Sequence, residues 1–175
     1  AASQRMGELI EELLHLSRVT RSEMRLQNLD LSAMVRNIAS ELQQAQPERV
    51  VEFAIAPNIT APADPQLIRV LFENLLNNAW KFTSRTKSAR IEFGKLPLKQ
   101  LKFFTERSLS PFNSSNVYFI SDNGAGFDMA YSARLFVAFQ RLHSEDEFPG
   151  NGIGLAIQNT YAHYHLTDSL TTAHQ

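Results

Sequence analysis

The sequence has no cysteine among its 175 residues. That excludes disulfides and thiolate metal sites, and it fits a cytoplasmic location. Charge imbalance is also missing, with 17 basic residues against 18 acidic ones. No bulk field therefore draws the chain to nucleic acid or to an anionic membrane. No apolar run approaches the ~20 residues that a membrane-spanning helix requires, and the start lacks a signal-peptide pattern. No membrane contact is expected from this segment. The first residue is Ala rather than Met, so the chain is expected to be cut from a longer protein whose other parts include a sensor or an anchor. What remains is an ordinary globular composition, 43% apolar, enough for one medium-sized domain or a domain with an appendage.

The pattern of apolar residues organises the chain. Met6, Leu9, Leu13 and Leu16 recur at steps of three and four, widened by Ile10 and Leu14, and predict a bundle or coiled-coil helix to about Arg25. No second bundle helix follows, so this seam calls for a partner. His15 sits about 200° round that helix from the seam and reads as a solvent-side residue. Gln27–Leu31 is a linker or short strand, after which Ser32 is expected to cap a helix through Met34, Val35, Ile38 and Leu42. Residues 50–55 predict a strand. Asp64-Pro65 opens a second helix carrying Leu67, Leu71, Leu75, Asn78 and Phe82 on one stripe. Ala89–Phe93 predicts a strand, whereas Lys95–Asn116 gives no clear element. Val117–Ile120 predicts a strand running into Asp122, Asp128 caps a helix through Phe139, and Gln140–Gly150 is a polar loop. A last helix opens at Gly152.

Three stretches carry residues suited to chemistry. Asp122 alternates onto the strand face of Tyr118 and Ile120, so its carboxylate should point into an apolar interior, where a charge needs a donor partner. Gly124 and Gly126 allow positive φ and a close approach to the backbone. Adenine, flat and with an exocyclic amine, would satisfy both features, although Asp-Asn-Gly taken alone is also an ordinary surface turn. Asn74 and Asn78 lie one turn apart on their helix, with Lys81 three residues on. Amide oxygens suit Mg²⁺ and the ammonium suits phosphate, although a solvated polar face would look the same. Gly150, Gly152 and Gly154 precede an apolar helix, an arrangement that fits a phosphate-covering lid or a plain flexible loop. Adenine, Mg²⁺ and phosphates are the three parts of a single ligand.

With those residues in hand, Glu73–Thr83 resembles the N box of sensor histidine kinases and Asp122–Phe127 resembles their G1 box. Leu135–His143 is similar to the F box, and Gly150–Ala156 to the G2 box. All four stand in family order, and the wording around Phe119–His143 resembles phytochrome-type and related soluble-sensor kinases. The first helix resembles the second helix of the dimerisation and phosphoacceptor hairpin.

The resemblance implies an α+β fold, the two-layer α/β sandwich of the Bergerat ATPases, with a mixed and mostly antiparallel sheet and an N-terminal bundle helix. It implies a partial dimerisation helix over 1–28, an ATP-binding catalytic domain over 29–157 and an atypical tail over 158–175. Asp122 would bind the adenine amino group, Asn78 would ligate Mg²⁺, and Asn74 and Lys81 would contact phosphates or metal-bound water. Gly124 and Gly126 would shape the pocket floor, and Phe139 would sit by the lid. Arg141 would lie near the γ-phosphate, and Gly150, Gly152 and Gly154 would close over the phosphates. Asn74, Lys81 and Arg141 are thus the expected catalytic set, with ATP and Mg²⁺ as cofactors. Gyrase-like ATPases carry a Glu where Asn74 stands; an Asn takes no proton from water, which favours transfer to another acceptor over hydrolysis.

The implied activity is transfer of the γ-phosphoryl group to a histidine on the dimerisation domain of a homodimeric kinase, with a response regulator as the next partner. Two departures qualify it. The H box, a His followed by an acidic residue, Arg and Pro, is absent from residues 1–175, so this chain by itself is not expected to autophosphorylate. Residues 158–175 hold no glycine and no convincing strand, as a truncated or shifted reading frame would produce. The competing readings are a degenerate nucleotide-binding or dimerisation module and a Bergerat-fold serine/threonine kinase.

Overall fold

Two amphipathic stripes between residues 31 and 82 become the helices that cover the sheet. The computed structural model describes residues 25–97, 116–126, 147–148 and 170–174. The bundle helix with His15, the segment 98–115 and the helices expected after Asp128 and Gly152 lie outside the described residues. So do Phe139, Arg141, Gly150, Gly152 and Gly154 among the candidate site residues.

In chain order the elements are β1 (Gln27–Asp30), α1 (Leu31–Ala45), β2 (Val51–Ile55), β3 (Thr60–Ala63), α2 (Pro65–Phe82), β4 (Ala89–Pro97), β5 (Asn116–Asp122) and β6 (Leu170–His174). Among the described residues β1 and β3 form an antiparallel pair, and the other strands form a sheet in the order β2-β4-β5-β6. In that sheet β2 runs parallel to β4, β4 antiparallel to β5, and β5 parallel to β6. The sheet is mixed as expected, but among the described residues two of its three pairings are parallel and one is antiparallel, rather than mostly antiparallel. None of the described helices is long and apolar enough to cross a membrane.

The register explains the core. Ile91 pairs with Asp122 and Phe93 with Ile120, while Phe53 pairs with Ile91 and Ile55 with Phe93. Because side chains alternate along a strand, these residues share one face. Ile91, Phe93, Tyr118 and Ile120 are buried there, together with Val35 and Ile38 of α1 and Ile68, Leu71, Phe72, Leu75 and Leu76 of α2. Phe72 meets Phe93 edge-on, with ring centroids 5.4 Å apart. Arg90 lies on the opposite face, exposed and paired with Glu52 and Glu92.

The start of α2 matches the sequence reading. The Asp64 carboxylate accepts from the Gln66 and Leu67 N–H groups, and Pro65 occupies the first turn. It also accepts from the Arg25 N–H at 3.0 Å, which ties the chain entering β1 to the head of α2.

The start of α1 corrects the reading. Asp30, not Ser32, is the cap, and its Oδ1 accepts from the Ala33 N–H at 2.8 Å. Ser32 is fully buried one residue into the helix. Its hydroxyl donates to the Ala56 carbonyl at 2.7 Å and accepts from the Ile59 N–H at 2.9 Å. It therefore bridges the turn between β2 and β3, supplying an acceptor to the buried Ile59 N–H and a donor to the half-buried Ala56 carbonyl.

The tail also departs from expectation. Residues 170–174 form a strand beside β5, with Leu170 opposite Tyr118 and His174 opposite Asp122. β5 is therefore an internal strand flanked on both sides, and the unfinished edge expected from a strandless tail is not present at this position. The shifted-frame explanation, which required the tail to lack strands, falls with it.

Ser32→Ala removes a hydroxyl from between a buried N–H and a half-buried carbonyl and should destabilise the domain by about 1–3 kcal/mol. Denaturant unfolding measures this, and a variant as stable as the parent would contradict the bridging role.

Candidate functional site

The stripe on α2 opens at its C-terminal end. Counting about 100° per residue, Leu71, Leu75, Asn78 and Phe82 fall within roughly 60° of one another. Leu71 and Leu75 are 3% and 5% exposed, whereas Asn78 and Phe82, which continue the same line, are only half-buried. The core thus gives way to a partly open position where an amide replaces a leucine. Asn74 and Lys81 flank this line and are also half-buried. The Lys81 ammonium lies 4.5 Å from the centroid of the Phe82 ring. Asn77 does not join the group: it is exposed, and its side-chain N–H donates to the Glu73 carbonyl one turn back. Of the three asparagines on this helix, the two singled out by spacing sit at the opening and the third faces away.

The loop after β5 docks on this helix end. The Ala125 N–H donates to the Phe82 carbonyl at 3.1 Å, one of the terminal carbonyls that an α-helix leaves without an intrahelical partner. Gly124 lies so close that a Cβ there would stand 2.6 Å from the Phe82 oxygen and 2.7 Å from the Asp122 carboxylate. Its lack of a side chain serves contact with the chain's own helix end, and of the two glycines in this loop it is Gly126 that has the positive φ, at 61°. Asp122 is 5% exposed, as its strand phase predicts. One carboxylate oxygen accepts from the Gly124 N–H at 2.9 Å. The loop therefore supplies a donor partner of its own to the carboxylate. Asp122, Gly124 and Gly126 are thus brought against the end of the helix that carries Asn78 and Lys81.

Two supports around this junction have no signal in the sequence. Phe148, within a stretch that reads as a polar loop, is buried with its ring edge-on to Phe82 at 5.2 Å. Arg85 holds the same spot, its guanidinium 5.3 Å from the Phe148 centroid and donating to the Glu147 carbonyl at 3.0 Å. On the other side, Arg49 lies 4.2 Å over the Trp80 ring and donates to the Thr83 hydroxyl at 2.8 Å. Thr83 in turn bonds to the Ala79 carbonyl at 2.7 Å, closing the last turn of α2. Phe53 stacks on Trp80, whose indole N–H donates to the Gln46 side chain. Burial lowers the Arg49 pKa from its usual value, and the guanidinium still carries its charge at neutral pH. Apart from the bond within the last turn, these contacts join residues far apart in the chain, 34 positions for Arg49 and Thr83 and 62 for Arg85 and Glu147, and single-chain periodicity does not reveal such pairs.

Gly124→Ala should force the loop off the helix end, because two of the three nearest atoms belong to the Phe82 backbone and cannot rotate away. A loss of about 1–3 kcal/mol is expected, read as a lower melting midpoint. An unchanged midpoint would mean that the contact is not needed.

Comparison with known proteins accords with this geometry. Residues 63–173 match the family described as histidine kinase-, DNA gyrase B-, and HSP90-like ATPase. The match spans α2, β4, β5 and most of β6, so it includes tail residues in which no family motif is visible. Cyanobacterial phytochrome A of Nostoc sp. is 32% identical over 152 residues, which is 87% of this chain and 18% of the relative. The chain spans about a fifth of the length of such curated relatives. Among solved structures, the mycobacterial sensor histidine kinase MprB superposes with a TM-score of 0.56 at 17% identity, covering 81% of this chain and 80% of that one. Full-length ShkA in complex with AMPPNP superposes with a TM-score of 0.63 at 22% identity, covering 93% of this chain and 31% of that one. With the buried carboxylate, the close-docked glycine loop and the amide-bearing helix in one place, the chain belongs to the histidine kinase-, DNA gyrase B-, and HSP90-like ATPase family and has the Bergerat-like fold of histidine kinase catalytic domains.

Proposed function

We propose that this chain is the ATP-binding catalytic part of a sensor histidine kinase. It would present the γ-phosphoryl group of Mg·ATP to a histidine on a dimerisation domain in two-component signalling. The observation that carries this reading is the docking of the Asp122–Gly126 loop on the C-terminal end of α2. It joins a group suited to an adenine amine with a helix end suited to metal and phosphate.

The residues fit the ligand. Asp122 is buried and already hydrogen-bonded within its loop, so it is held in place as an acceptor for an exocyclic amine. Asn78 offers an amide oxygen at a half-buried position, and Mg²⁺ takes such oxygens while keeping water and phosphate oxygens in its shell. Lys81, three residues on, is placed for a phosphate oxygen, and Asn74 for phosphate or metal-bound water. Asn78 would hold the Mg²⁺, whose positive charge would offset the negative charge of the phosphates during transfer. Arg141 by the γ-phosphate, Phe139 by the lid and Gly150, Gly152 and Gly154 over the phosphates complete the proposed site. Asn74 in place of a carboxylate leaves no base to activate water there, which supports transfer over hydrolysis. The acceptor histidine, the second protomer and the response regulator belong to the same proposal, as does a cytoplasmic location. The alternative of a degenerate nucleotide-binding or dimerisation module without kinase activity rests on a strandless tail, and β6 counts against that ground.

Titration with a fluorescent ATP analogue, with and without Mg²⁺, tests the reading. Binding should be tighter with Mg²⁺. Asp122→Asn, which loses a charged acceptor and turns an N–H₂ towards the amine, should weaken binding by about ten- to a hundredfold. No binding, or a variant that binds like the parent, would refute the reading.

A further inference from the structure

Asn123 stands between the buried Asp122 and the close-docked Gly124, and it is exposed. In sequence it is the middle of a turn. Its side chain is nevertheless committed to another part of the chain. Oδ1 accepts from the Arg90 N–H at 2.8 Å, and Nδ2 donates to the Ser88 carbonyl at 2.8 Å. The backbone takes part as well: the Asn123 N–H donates to the Arg90 carbonyl at 3.2 Å, and its carbonyl accepts from the Thr86 hydroxyl at 3.5 Å. Arg90 precedes Ile91, the partner of Asp122 in the β4–β5 ladder. The amide thus extends that ladder one step beyond the last strand residue and fastens it to the turn before β4.

We propose that Asn123 is a positioning residue. It acts through Asp122, fixing the direction of that carboxylate and so setting the affinity of the site for the adenine amine. This inference rests on the reading of Asp122 given above. The reasoning is geometric. Asp122 is held on one side by the Gly124 N–H and on the other by the peptide that leads into Asn123. Turning the carboxylate by moving the strand end would break the bonds to Arg90 and Ser88. The two side-chain bonds also specify the residue type, because one partner is a donor and the other an acceptor. A carboxylate of the same shape keeps the Arg90 bond but sets an oxygen against the Ser88 carbonyl oxygen, a contact with no proton between the atoms. Asn123→Asp is therefore a change of chemistry at constant shape, and Asn123→Ala removes both bonds.

The test compares Asn123→Asp and Asn123→Ala, alone and combined with Asp122→Asn, in the full chain well below each melting midpoint. Both single variants should bind a fluorescent Mg²⁺-ATP analogue about five- to twentyfold more weakly. Asn123→Ala should cost nothing further once Asp122 is already Asn, because a residue that works through a carboxylate has no effect when that carboxylate is gone. In the same variants, amide exchange at Gly124 should speed up by about tenfold with no nucleotide present, as the loop loosens. Three results would each overturn the proposal: parental affinity in Asn123→Asp, a full additional loss in the double variant, or unchanged exchange at Gly124. A parent chain that binds no nucleotide refutes the adenine reading itself. The affinity role then falls with it, and exchange at Gly124 still decides whether Asn123 holds the loop.

Discussion

The hydrogen bond from the Ala125 N–H to the Phe82 carbonyl, made against the bare Cα of Gly124, is the contact on which the site depends. It joins two elements that a sequence-distant sheet and helix would otherwise leave independent. A helix ends with carbonyls that need donors, and here a donor comes from the loop that carries the buried carboxylate. The arrangement works only if the loop approaches to van der Waals distance, and a side chain at 124 would prevent that. The glycine is needed for internal docking as much as for any approach by a ligand.

Much of the remaining structure can be understood as support for that junction. From the core side, the α2 stripe packs on Ile91, Phe93 and Ile120 and sets the height of the helix over the sheet. From the flanks, Arg49 on Trp80 and Thr83 and Phe148 on Phe82 fix the last turn. At the opposite end of the same helix, Asp64 caps α2 and also accepts from Arg25, at the edge of the segment that leads into β1. One helix therefore has the approach to β1 at its head and the candidate site at its foot. β6 flanks β5 on the far side from β4, so the strand that delivers Asp122 is paired along both edges.

What was legible in the sequence divides by range. Asp64-Pro65 announced α2 because both signals are local, and the burial of Asp122 followed from the two-residue period that places it on the face of Tyr118 and Ile120. The cap of α1 was misplaced because Asp30 and Ser32 are both good capping residues. Contacts 24 and 27 residues away claimed the serine hydroxyl. β6 was invisible because its strand form comes from pairing with β5 and not from its own composition, and strand preference depends strongly on such context. Asn123 reads as a turn residue in any local window, and its partners at 88 and 90 appear only when β4 and β5 are placed side by side. Phe148 is a single aromatic in a charged stretch, and no periodic pattern marks it as buried.

The central claim is that one end of α2 and one loop together read a nucleotide. A crystal structure of the chain with Mg²⁺ and a non-hydrolysable ATP analogue tests this directly. The account predicts the adenine amine within hydrogen-bonding distance of the Asp122 carboxylate and the metal on the Asn78 amide oxygen, with the Ala125–Phe82 bond intact. Nucleotide bound elsewhere, or an adenine that makes no contact with Asp122, would contradict it.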